Sequence, residues 1–212
     1  MTCITRKGTG VNDVMVLDVE TTGLSRRNDV ITTACWYYQG TWHRWVRDMD
    51  SESTFISHWI SCSELVTFNG RHFDEKFVIK DFGVEQHSNH RDVMYDGWKQ
   101  GHRGGLKKVA LICGLPRPPE ISGMDGRSAI TLWELWKSGN SDALQLLSLY
   151  NAWDVWLTLG LYRRFVHNLP LEDDHAIPWT IDPEVAGQLL VNSSTGTGRP
   201  IAGGVQQSPY GG

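Results

Sequence analysis

Five side chains in this 212-residue chain have types and spacings that could do chemistry. Asp18 and Glu20 lie two apart in the run VMVLDVE (residues 14–20), whose β-branched residues predict a strand. On a strand, residues i and i+2 face the same side, so the two carboxylates converge. Neighbouring acids repel unless a cation lies between them or one is protonated. At the end of an apolar strand the pair therefore reads as a divalent-metal site with hard oxygen ligands. An exposed strand end, where acids are common, is the competing reading. Asp74 follows in FNGRHFDEKF, where it opens a predicted helix; capping the helix N-terminus would use the same carboxylate. Tyr150 and Asp154 are four apart on another predicted helix and so share a face. That stretch is otherwise apolar (Leu146, Leu147, Leu149, Val155, Leu157), and a carboxylate embedded in it needs a partner. The alternative there is a surface aspartate beside a core tyrosine.

Phosphodiester hydrolysis is a reaction that such a set fits. It builds negative charge on the phosphoryl oxygens and on the leaving 3′ oxygen. Two Mg²⁺ or Mn²⁺ ions roughly 3.5–4 Å apart stabilise both the attacking and the leaving oxygen. Asp18, Glu20, Asp74 and Asp154 supply the carboxylates that would offset the charge of two such ions. Tyr150, as a phenol with an ordinary pKa of about 10, is a poor base at neutral pH, so it suits positioning better than proton abstraction.

The elements that must position these groups can be read along the chain. Residues 14–20 form a strand that runs into a loop with Thr22 and Gly23. Residues 30–38 and 41–46 predict a hairpin across Gln39-Gly40. A helix is expected over 54–61, a short buried strand over 65–68 closed by Asn69-Gly70, and a helix over 74–82 stopped by Gly83. Residues 106–113 predict a helix ended by Gly114, and PRPPE (116–120) a rigid loop. Ser128 is expected to cap a helix reaching Lys137, and Ser141 to open a long one reaching His167. Strands before helices, with a hairpin before a crossover, suggest an α/β domain with a mixed sheet. This domain is expected over 1–168. Residues 169–212 read as a Pro- and Gly-containing acidic tail, partly flexible toward its end.

Composition excludes several classes. At 40% hydrophobic and 21% charged residues the chain is globular rather than fibrous. No apolar run suggests a membrane span, and the start MTCITRKGTG lacks the apolar core of a secretory signal. Cys3, Cys35, Cys62 and Cys113 form no C-x-x-C pair, which argues against a zinc site or a disulfide framework and for a cytoplasmic, reducing setting. The net charge of −4 resides in the tail, which holds Arg199 against Glu172, Asp173, Asp174, Asp182 and Glu184. A neutral body does not advertise nucleic-acid binding. Any such function rests on a site. Ten tryptophans suit core packing first, with base stacking open to the exposed ones.

Order and spacing resemble the DEDD superfamily of 3′→5′ exonucleases. The family's first motif, D-x-E-T-x-G, is matched by Asp18-Val19-Glu20-Thr21-Thr22-Gly23, and its second, N-G-x-x-F-D, by Asn69 to Asp74. The tyrosine-subclass motif Y-x-x-x-D is matched by Tyr150 to Asp154, and Leu149 stands where the histidine subclass has histidine. The resemblance covers about residues 11–168. It implies a ribonuclease-H-like mixed five-stranded sheet flanked by helices, and two divalent ions, Mg²⁺ or Mn²⁺. Asp18 would bridge both ions, Glu20 and Asp154 would bind one, Asp74 would act mainly on the second, and Tyr150 would orient the attacking water. It also implies contacts from Thr21 and Thr22 to the terminal nucleotide, packing of Leu24 on its base, and Asn69 and Phe73 flanking the strand. Arg71, Lys76, Arg103, Lys107 and Lys108 are candidate phosphate contacts, although a solvated helix face is the better explanation of any single one. The implied substrate is a single-stranded nucleic-acid 3′ end, with DNA placed ahead of RNA although no residue reports on 2′-hydroxyl recognition. Two other readings stay open: a non-catalytic ribonuclease-H-like binding or assembly module, and recruitment to a polymerase or helicase through the tail.

Overall fold

The computed structural model describes residues 13–170 and 176–195. β1 (Val14–Thr21), β2 (Ile31–Tyr38) and β3 (Thr41–Val46) form an antiparallel meander. The β2–β3 turn is made by Gln39 at φ 50° and Gly40 at φ 77°, the left-handed pair that a two-residue hairpin loop requires. β4 (Glu64–Thr67) pairs parallel to β1, and β5 (His90–Asp92) parallel to β4. The mixed five-stranded sheet has the order β3-β2-β1-β4-β5, which puts β1 at its centre.

Helices cover both faces. α1 (Ser53–Ser61) and α2 (Asp74–Phe82) lie on one side, where Phe55, Trp59, Phe77, Val78 and Phe82 pack against Met15, Leu17 and Val19. On the other side, α3 (Val93–Lys99), α4 (Leu106–Ile112) and α6 (Ser141–His167) meet Val14, Val16, Cys35 and Tyr37. The odd and even residues of β1 thus serve two different cores, as the period of two dictates. Asp18 and Glu20 continue the even series and face α6. α6 has 27 residues, so it is about 40 Å long. Asn140 caps its start by accepting from the Ala143 amide, and Asn168 ends it at φ 53°.

Three local readings need amendment. The helix expected to be capped by Ser128 is α5 (Gly126–Lys137), which begins three residues earlier than that cap implies. Asp125 is its cap, accepting from the amides of Arg127 and Ser128, while the Ser128 hydroxyl accepts from the Asp125 amide in a reciprocal capping box. β5 and α3 are absent from the sequence reading because HRD offers no apolar pattern. Beyond the boundary expected at residue 168 lies α7 (Pro183–Thr195), which buries Ala186 and Leu189 in one cluster with Leu132, Trp133 and Leu146. The flexible end expected over roughly the last 20 residues lies, from residue 196 on, outside the described residues. Of the tryptophans, Trp36, Trp45, Trp59 and Trp133 are core residues and Trp98 is exposed. Among the described residues no helix is long and apolar enough to cross a membrane.

Candidate active site

The C-terminal end of β1 meets the middle of α6. Asp18, Glu20 and Asp154 each bring a carboxylate oxygen within 4.8 Å of the others. Asp18 pairs in register with Cys35 of β2 and Glu20 with Thr33, and the register shifts between Glu20 and Thr21, where the strand bends into its loop. Asp154 and Tyr150 occupy the same face of α6, one turn apart, and both are buried. Asn151, fully buried between them, donates from Nδ2 to Asp18 Oδ2 at 2.6 Å and accepts from the Thr33 hydroxyl at 3.3 Å. One amide therefore ties the β1 carboxylate to both α6 and β2.

Asp74, expected as a fourth metal ligand, lies outside the set that meets within 4.8 Å and stands beside it as an electrostatic neighbour of Asp18 and Glu20, held by another route. The β1–β4 ladder runs from Val14↔Glu64 to Val16↔Val66; farther along β1, the Val19 amide donates to Asp74 Oδ1 at 3.0 Å. The carboxylate that could have capped α2 is thus spent on the strand, and the N-cap residue Phe73 supplies no side-chain acceptor. The turn before α2 is anchored by Asp92, which accepts from the amides of Asn69 at 2.7 Å, Arg71 at 3.3 Å and Met94 at 3.2 Å. Asn69 sits at φ 64° and its neighbour Gly70 packs on the buried Thr67. A Cβ on Gly70 would lie 2.8 Å from Thr67 Cγ2 and closer still to its Cβ. Gly70→Ala should therefore cost about 1–3 kcal/mol of stability through overpacking. Denaturant melts of the variant check this; an unchanged midpoint would contradict the packing.

Burial dominates the electrostatics. It pushes Asp18 up to about 7, against the pull of the Asn151 hydrogen bond and the Arg117 charge. Burial first, then the Asp18 and Asp74 charges, holds Glu20 well above the usual carboxylate range. Burial and Asp18 raise Asp74 likewise, against the Val19 amide. These acids are crowded and poorly solvated, a state that a cation relieves. The Tyr150 phenol is also raised, by burial and then by Glu20, so it stays protonated at neutral pH and keeps its O–H to donate.

Two cations approach from the other side. Arg117, in the loop before the 3₁₀ turn Pro119–Ile121, lays its guanidinium over the Tyr150 ring at 4.7 Å from the centroid and against Asp154 Oδ1. Lys107 Nζ lies 5.5 Å from the same ring, and burial followed by the Arg117 charge lowers it to about 8. Of the other candidate phosphate contacts, Arg71 donates to the His90 carbonyl and Arg103 stacks on Trp98.

Beside the carboxylates opens a cavity of about 570 Å³, lined among others by Glu20, Thr21, Leu24, Phe73, Arg127 and Ile130. Leu24 is 84% exposed at its rim. Thr22 and Asn69 do not line it. The Thr22 hydroxyl bonds Asp29 at 3.1 Å and accepts from the Val30 amide at 3.1 Å, and the Thr21 hydroxyl donates to the Gly23 carbonyl at 2.6 Å. These bonds fix the loop after β1. The hard oxygen donors of Asp18, Glu20 and Asp154 fit Mg²⁺ or Mn²⁺, and any ion they hold would stand between β1 and α6. Sequence reasoning missed Asn151 and Arg117. Helical spacing could have found Asn151, three residues before Asp154; nothing periodic marks Arg117.

A central β1 ending in acids, with a long helix crossing behind it and a parallel β4 alongside, defines an α/β fold built to converge carboxylates. The chain belongs to the RNase H superfamily: its RNase_H_2 family model matches residues 15–166. Among solved structures, the chain is similar to the family B DNA polymerase of the hyperthermophilic archaeon Pyrobaculum calidifontis. The identity is 17% and the TM-score 0.57, over 77% of this chain but only 27% of the polymerase. It is also similar to a structure described as the apo form of a nuclease, at 16% identity and a TM-score of 0.52, over 91% of this chain and 90% of the other. No curated protein matches it.

Proposed function

We propose that this protein is a metal-dependent 3′→5′ exonuclease of the DEDD tyrosine subclass, acting on single-stranded nucleic-acid ends. The observation that carries the reading is the convergence, within 4.8 Å, of carboxylates from positions 18, 20 and 154, which lie at opposite ends of the domain. Bound divalent ions would supply charge neutralisation of the phosphoryl group and a more acidic water. The protein's own groups do the rest. Asp18, Glu20 and Asp154 hold the ions, with Asp74 positioned through β1. The protonated phenol of Tyr150 donates a hydrogen bond that orients the attacking water, and Lys107 offsets phosphate charge. Thr21, Leu24 and Phe73 line the cavity beside Glu20 and receive the terminal nucleotide, while Thr22 and Asn69 brace the loops that carry these residues. The 3′→5′ direction rests on the likeness of the motifs to the DEDD family.

Oligonucleotides of DNA and of RNA, labelled at the 5′ end, test this directly. With Mg²⁺ or Mn²⁺ the products should shorten one nucleotide at a time from the 3′ end, and EDTA should stop the reaction. Internal fragments at the earliest times, or full activity in EDTA, would overturn it. The same gel separates DNA from RNA preference.

A further inference from the structure

We infer that Arg117 is a positioning residue of the carboxylate cluster: it supplies the resident positive charge that keeps the acids convergent, and it gives up that place when divalent cations enter. The inference rests on the metal reading above. The Arg117 side chain is only 5% exposed and lies against Asp154 Oδ1, a buried oxygen of a residue in the metal-ligating set. A buried guanidinium has five donors to satisfy. Yet beyond Asp154 and the Tyr150 hydroxyl, the buried Nε, Nη1 and Nη2 atoms of Arg117 meet no further acceptor. Charge and the Tyr150 side chain beneath hold the group there, with fewer acceptors than its five donors call for.

Such a seat is contested. An ion held by Asp18, Glu20 and Asp154 would put a double positive charge beside the guanidinium that lies against Asp154, and two cations at that range repel. Entry of the ion and presence of the guanidinium on Asp154 therefore oppose one another. The loop favours motion of the side chain alone, because Pro116 and Pro118 flank Arg117 and restrict the backbone. Departure also relieves Lys107, which shares the Tyr150 ring with Arg117 and is repelled by it.

Mn²⁺ titrations of the full chain without nucleic acid, followed by calorimetry, test the inference on wild type, Arg117→Met, Arg117→Gln, Arg117→Lys and Asp154→Asn. Both neutral variants should bind Mn²⁺ at least about tenfold more tightly than wild type, because no internal cation has to be displaced. Arg117→Lys should return toward the wild-type affinity. A purely structural role would move affinity the other way, since a damaged site binds less well. Unchanged or weaker binding by whichever neutral variant folds overturns the role of Arg117. If wild type itself binds no Mn²⁺, or Asp154→Asn binds as well as wild type, the metal reading is the one that fails.

Discussion

Asp154→Ala should abolish nucleotide release, by on the order of 10³-fold or more, because a lost ligand removes several kcal/mol of charge stabilisation where about 1.4 kcal/mol is a factor of ten. The fold should survive. Asp154 lies on α6 against the buried Arg117, so its loss takes the ion-pair partner from that guanidinium and lowers stability. Arg117 keeps Asp18 and Glu20 as electrostatic neighbours, which offsets part of that loss. Asp154→Asn keeps the shape and loses only the charge, so it should be as inactive as the alanine variant. Single-turnover rates on an end-labelled oligonucleotide, with circular dichroism melts of the same samples, are the measurements. An active, normally folded Asp154→Ala would remove the residue from the site.

The second large effect is on stability against pH. Asp18 is raised from 3.8 to about 7 in the folded protein, and Glu20 and Asp74 are raised too. A carboxylate with a raised folded pKa favours the native state while protonated. That contribution is complete below the unfolded pKa, about 4, and is lost as pH rises through the folded value. In EDTA the melting temperature should therefore fall between about pH 5 and pH 8, by about 2–4 °C for each kcal/mol at this chain length. His43 and His58 work in the opposite sense, since burial lowers both and their neutral forms favour the fold as pH rises. The difference between wild type and Asp18→Asn cancels the histidines. That difference should grow with pH in EDTA and shrink when saturating Mg²⁺ or Mn²⁺ binds the ionised acids. A pH-independent difference would show that Asp18 titrates normally.

Local pattern made much of this legible. Asp18 and Glu20 face one way because strand period is two, and α2 and α6 span the residues their caps and stops mark, Asp74–Phe82 and Ser141–His167. The remainder depends on partners that only the fold provides. Asp74 has the look of a helix cap, but its acceptor is spent on the Val19 amide of a strand 55 residues away. β5 is three residues of charged sequence whose strand character comes from pairing Arg91 with Val66. α7 follows a Pro-rich stretch with weak periodicity and owes its place to the cluster that receives Ala186 and Leu189. Arg117 sits in a proline loop, where no spacing rule applies, and only the meeting of Asp154 with Tyr150 gives it somewhere to point.

The length of α6 has a consequence for how the site can fail. Its central turns carry Tyr150, Asn151 and Asp154, while residues toward its two ends pack in separate clusters, Leu146 and Leu147 with α5 and Leu161 and Tyr162 with α4. These three side chains are therefore borne on a beam clamped at both ends. They cannot slacken one at a time as groups on a surface loop can, so dismantling the cluster draws on nearly the whole free energy of unfolding.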